Sequence, residues 1–169
     1  MNTNNASQLR PEFNKTEFDT LHRWDLGWAI LQPINLAKDK ADEIELTKRF
    51  SNGQRALYYF WYLDAQVVNG GFIQFYWNGY ESYLPLIQEG IKFIGDSALL
   101  NLLIKANEEY IKNKDKFKQQ KTIDDWSPLY GNLKKFDEYD SEYYKIHDHT
   151  MDLLEQYIRL HSNDFVTLR

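Results

Sequence analysis

The chain contains no cysteine, four prolines and eight glycines in 169 residues. Without cysteine there is no disulfide framework, no thiolate-ligated zinc, no iron–sulfur cluster and no thiol nucleophile. No stretch approaches the ~18 consecutive apolar residues that a bilayer-spanning helix requires, so no membrane partner is expected. The opening residues lack a basic start followed by an apolar run, which gives no sign of a secretory leader and points to a cytoplasmic setting. Net charge is small: 20 Lys+Arg against 25 Asp+Glu leave a formal charge of −5. A duplex-binding surface needs clustered positive charge, so direct nucleic-acid binding is not expected either.

Aromatic residues are abundant. Ten Phe, five Trp and twelve Tyr make up 16% of the chain, and the segment from Tyr58 to Tyr83 is their densest concentration. Large rings bury large areas, so an aromatic core can stabilise a single domain of this length. The apolar spacing is helical throughout. Phe18, Leu21, Leu26, Ala29 and Ile30 predict a first helix closing near Pro33. Leu57, Phe60, Trp61, Ala65 and Val68 predict a second, with Phe60 and Trp61 facing inward and Tyr58 or Tyr62 more exposed. Leu84, Ile87, Ile91 and Ile94 predict a third, stopped by Gly95, and Asp96 or Ser97 can cap a fourth carrying Leu99, Leu102, Leu103, Ala106 and Tyr110. Ile146, Leu153, Leu154, Tyr157 and Ile158 mark a last helix starting near Ser141. Residues 1–14 read as a flexible tail and residues 112–135 as a long connection with one helical turn. The expectation is an all-α, single-domain, bundle-like fold over residues 15–169.

Asn69-Gly70-Gly71 should break the helical run, because Asn and Gly accept the left-handed conformations that close a helix. Gly70 is expected at positive φ or in a close helix contact. A short helical piece would follow, from Phe72 to Trp77. Gln74 and Asn78 could then satisfy orphaned backbone groups at the two helix ends, while Phe72 and Phe75 plug the corner. A small-molecule pocket at that corner is the alternative. A phosphate-binding loop is not expected, since the Lys and Ser/Thr that complete one are missing.

The string from Asp64 to Gly79 resembles the signature of the DNA-mimic-protein-19-like family, a bacterial domain of unknown function. Val67, Asn69, Gly70, Gly71, Phe72, Gln74, Phe75 and Asn78 carry the likeness, and Val68 departs from it where members usually have a second polar residue. The resemblance implies a non-enzymatic, protein-binding regulator. The family's named prototype is an acidic dimer that occupies the DNA-binding surface of a transcription regulator, so the implied partner is such a regulator or another DNA-binding protein, with a homodimer as the implied assembly. A small-ligand-binding protein, or an enzyme using the corner, is the competing function.

Charge distribution bears on that choice. Asp137, Glu138, Asp140, Glu142, Asp148, Asp152 and Glu155 lie between Phe136 and Tyr157 with Lys145 as the one base, downstream of a lysine stretch at Lys112, Lys114, Lys116, Lys118 and Lys121. Asp148, Asp152 and Glu155 are spaced i, i+4, i+7, one helix face. With Asp140 or Glu142 they are expected to form one exposed acidic stripe, either a partner-binding surface or a solubilising face. Enzyme signatures are poor, and neither a cofactor nor a catalytic set is implied. His147 and His149, two apart, point to different faces of a helix rather than to one metal. Asp64 is the exception. It falls on the apolar stripe seven residues after Leu57, where a buried carboxylate can act as a general acid or base or, more commonly, pair with a donor.

Overall fold

Ser51 starts the central helix. Its hydroxyl accepts from the Gln54 N–H at 3.0 Å while the Gln54 amide oxygen accepts from the Ser51 N–H at 2.9 Å, a reciprocal cap. From there α4 (Asn52–Trp77) runs through the middle of the molecule. The computed structural model describes residues 9–117 and 123–169, and Lys118 and Lys121 of the lysine stretch lie outside it.

Around α4 are arranged α1 (Lys15–Thr20), α2 (Arg23–Leu31) and α3 (Lys40–Thr47) on the N-terminal side, and α5 (Leu84–Ile94), α6 (Ser97–Lys112) and α9 (Lys135–Leu160) after it. The short helices α7 (Lys114–Phe117), α8 (Ile123–Asn132) and α10 (Ser162–Phe165) fill the connections. The fold is all-α apart from one two-residue pair: β1 (Glu12–Phe13) lies parallel to β2 (Thr167–Leu168), with Glu12 opposite Thr167.

Local chemistry sets several of the helix ends. Gly95 adopts φ 84° and terminates α5, and the Asp96 carboxylate accepts from the Leu99 N–H at 2.9 Å to cap α6. The second carboxylate oxygen of Asp96 accepts from the Thr150 hydroxyl at 2.5 Å, which ties the start of α6 to α9. Gly90 lets α5 lie directly on α4: a Cβ there would be 2.8 Å from the Ala56 Cα. Rings fill the far end, where Tyr76 and Tyr110 stack with centroids 4.1 Å apart beside Phe117 and Phe136.

Four expectations are corrected. The supposed N-terminal tail is anchored from Leu9 onward, with Phe13 buried in the core through the strand pair; residues 1–8 lie outside the described part. The first helix is two helices, because the chain turns at Leu21-His22, where the Arg159 guanidinium of α9 donates to the carbonyls of Phe18 and Leu21. Residues 112–135 hold α7 and α8, the latter with Pro128 inside it. Phe60 and Trp61 are buried and Tyr62 is half-buried, as the stripe predicts, but Tyr58 is 1% exposed against 9% for Trp61, because the rings of Phe50, Tyr59 and Tyr62 close around it.

Candidate functional site

At the break in α4, Gly70 has φ −155°, ψ 29° and Gly71 has φ 70°, ψ −176°. The positive φ thus falls on Gly71 rather than Gly70, in a region essentially restricted to glycine. Gly71 also has no room for a side chain, since a Cβ would sit 2.7 Å from the Asp140 Cγ. The Asp140 carboxylate, reaching over from α9, accepts from the Phe72 N–H at 2.8 Å and so caps the second half of α4. Burial pushes its carboxyl up to about 6; the Phe72 N–H opposes that shift and the nearby Asp137 charge adds to it. On the other side of the break the Tyr130 hydroxyl donates to the Gly70 carbonyl.

The motif's amides form a chain across the corner. Asn69 Nδ2 donates to Gln74 Oε1 at 2.9 Å, Gln74 Nε2 to Gln66 Oε1 at 3.2 Å, and Asn78 Nδ2 to the same Gln66 oxygen at 2.7 Å. Gln66 completes this chain and was not singled out by the motif. Val67, Phe72 and Phe75 are wholly buried beneath it. The corner therefore joins two half-helices to each other through these amides and to α9 through Asp140.

One and a half turns before the break, Asp64 is 2% exposed. Its Oδ1 accepts from the Tyr143 hydroxyl at 2.7 Å and lies 2.9 Å from His147 Nε2. The hydrogen bond to Asp64 raises the His147 pKa, with burial opposing and the Asp64 and Asp148 charges assisting. Burial, reinforced by the Asp64 charge, pushes the Tyr143 phenol far up, so it remains a donor. The carboxylate fixes the imidazole's orientation as a base-orienting group would. The other nitrogen, Nδ1, faces the Asp148 carboxylate at 3.8 Å. Among the described residues no hydroxyl is hydrogen-bonded to it, and no group of three His, Asp or Glu is arranged to hold a metal ion.

His147 and Asp64 open onto a surface groove of about 490 Å³ together with Trp24, Ala65, Val68 and Asn69. Trp24 stacks on Trp61 with centroids 3.5 Å apart, and Trp28 stacks near the same ring at 5.6 Å. Trp24, Trp28, Val68 and Tyr144 remain 41%, 46%, 47% and 55% exposed, although the Tyr144 hydroxyl is held by the Val68 carbonyl at 3.1 Å. Sequence reasoning missed this platform because α2, α4 and α9 each contribute to it.

The acidic residues do not form one exposed stripe. Asp140 points inward to the corner, and Glu142 turns toward α6 to meet Lys105 at 3.3 Å. Asp148 and Asp152 do share a face of α9, but α2 lies against it and Arg23 pairs with both, at 3.2 Å and 2.7 Å. Glu155 accepts from the Arg23 N–H at 2.7 Å and contacts His22 and Arg159 at 2.8 Å and 3.1 Å. Burial raises its pKa, but these three donors outweigh burial and hold it below the usual value. The i, i+4, i+7 spacing is real and Asp148 stays open to water with Asp152 half-buried, but Arg23 of α2 pairs with both and Glu155 is turned into the α2 contact.

No helix among the described residues is long and apolar enough to cross a membrane. A comparison with curated proteins finds no match. The family model for DMP19-like proteins matches residues 48–161, which takes in α4 with its corner, α5, α6 and all of α9. That span holds every motif residue on which the resemblance rests as well as the Asp64–Tyr143–His147 cluster, and the chain belongs to the DMP19-like protein family.

Proposed function

We propose that this protein is a non-enzymatic, DNA-mimic-type regulator that binds the basic surface of a DNA-binding protein, using the platform of Trp24, Trp28, Val68 and Tyr144 as its anchor. The platform itself carries the proposal. Indoles half open to water cost solvation, and exposed apolar patches rimmed by polar groups mark interaction surfaces. Tryptophan and tyrosine are also the residues that dominate binding energy at protein interfaces. Asp25, exposed, follows Trp24 on α2, and Asp148 lies beside His147 with Arg23 paired to it, so the two acids supply the charge that suits a cationic partner and Arg23 offsets part of it. Membership of the DMP19-like family supports the same class of partner.

The test is capture from the source-cell lysate on immobilised protein, at low and high salt, with duplex DNA as competitor. The expected result is a DNA-binding protein that is released by the duplex and retained poorly by the variants Trp28→Ala and Tyr144→Ala, each checked for an unchanged melting temperature. Capture that neither variant weakens, or that excess duplex leaves intact, would overturn the proposal.

A further inference from the structure

A second groove, remote from the aromatic platform, has a different chemistry. Its floor is the contact of Gly90 with Ala56, where α5 lies so close to α4 that no side chain fits between them. Leu86 and Phe93 from α5 and Ile44 from α3 stand around that floor and enclose about 290 Å³. These three walls remain 39%, 42% and 51% exposed, so the groove is apolar and open to water. One end is polar. Lys48, Asn52 and Arg55 line it where α4 begins, and the first turn of a helix adds positive partial charge. Lys48 pairs with Glu45, itself well exposed, a contact that solvent screens. The Arg55 guanidinium donates to Asn52 Oδ1 at 2.6 Å, and among the described residues no carboxylate lies within ion-pair distance of it. Glu89, the acid on the α5 rim, is the exception to the positive character of the groove.

We infer that this groove binds an amphipathic anion: an unbranched aliphatic chain laid between Leu86, Phe93 and Ile44, with a carboxylate head at Arg55 and Lys48. Charge complementarity selects the head. In a chain of net charge −5 two cations flank this opening, and Arg55, which donates one N–H to Asn52, has further N–H groups for the paired contacts that guanidinium offers a carboxylate. Size selects the tail. A helix with its side chains is ~10 Å across, too wide for 290 Å³, whereas a single extended chain fits and would cover the three exposed walls.

The experiment is isothermal titration of the full chain with decanoate, decanol and decylamine below their aggregation thresholds. Decanoate should bind at one site per chain, decanol more weakly, and decylamine weakest. Arg55→Ala with Lys48→Ala should weaken decanoate by about tenfold, the equivalent of one charge-assisted contact, while decanol affinity and the melting temperature stay unchanged. Ile44→Asp should weaken both decanoate and decanol. Equal binding of decanoate and decylamine, indifference to the double variant, or uptake of many decanoates per chain would each overturn the inference.

Discussion

Gly71→Ala is the sharpest test of the corner. At φ 70°, ψ −176° an alanine occupies backbone space that is essentially glycine's own, which costs roughly 1–3 kcal/mol. The added Cβ would lie 2.7 Å from the Asp140 Cγ, so the carboxylate must withdraw from the Phe72 N–H. Leaving that part-buried donor unsatisfied costs another ~1–3 kcal/mol. The two effects share one site and are not strictly additive, so the expected loss is about 3–5 kcal/mol, a large part of the ~5–15 kcal/mol that holds a domain folded. Gly70→Ala is the matched control. Its backbone is at φ −155°, and the obstacle is the Gln74 side chain, which must shift and give up its hydrogen bonds to Asn69 and Gln66 while the Asp140 cap stays in place. That substitution should cost about 1 kcal/mol. Urea unfolding followed by far-UV circular dichroism gives both values, and unchanged m-values would confirm that only stability moved. If Gly71→Ala proves no more destabilising than Gly70→Ala, the account of the corner is wrong.

Three further outcomes follow from the same contacts. The folded state holds the Asp140 proton more tightly than the unfolded state, so the parent should lose stability as pH rises from about 4 to about 6, and Asp140→Asn should flatten that slope in urea titrations run across the range. His147 also has a raised folded pKa, so its contribution is complete below its unfolded value of ~6.5 and disappears as pH rises through the folded one; His147→Gln should remove the second decline in the same titrations. Tyr143→Phe deletes a buried donor to a carboxylate and should cost about 1.5–3 kcal/mol in urea unfolding, with the helical circular dichroism spectrum retained.

What could be read from the sequence was what the local chain dictates. Gly95 and Asp96 announced the α5–α6 junction, because one supplies a left-handed stop and the other a cap within three residues. Asn69-Gly70-Gly71 announced the break in α4 for the same reason, although Asp140, the carboxylate that packs on Gly71 and caps the second half, lies sixty-nine residues beyond it. Asp64 stood out as a carboxylate on an apolar stripe, but its partners Tyr143 and His147 come from another helix. The failures share one cause. One buried face per helix places Tyr58 or Tyr62 outward and Asp148, Asp152 and Glu155 toward solvent; Tyr62 is the more open of the two and Asp148 stays exposed, but Tyr58 lies where rings surround α4 and α2 draws Glu155 inward. Amphipathic spacing identifies a face. It does not identify the neighbour that covers it.

That neighbour changes what DNA mimicry can mean here. From Asp148 to Glu155 α9 advances ~10 Å, over which a duplex would present about six phosphate charges. The protein places three carboxylates there, and Arg23 and Arg159 pair with them. This face cannot reproduce the charge density of DNA, so a basic partner must gain most of its affinity from the aromatic platform, with acids at the rim steering the approach. Salt dependence then separates the two designs. A surface that replaces six phosphates would show the steep linear loss of affinity with log salt that accompanies many charge contacts. An aromatic anchor with an acidic rim should show a shallow slope, with the association rate falling more than the dissociation rate rises. Trp28→Ala should raise the dissociation rate at every salt concentration, and Asp25→Asn should slow association mainly at low salt. Both are measurable by surface plasmon resonance once the captured partner is in hand. A steep slope insensitive to Trp28→Ala would assign recognition to the carboxylates after all and remove the platform from the interface.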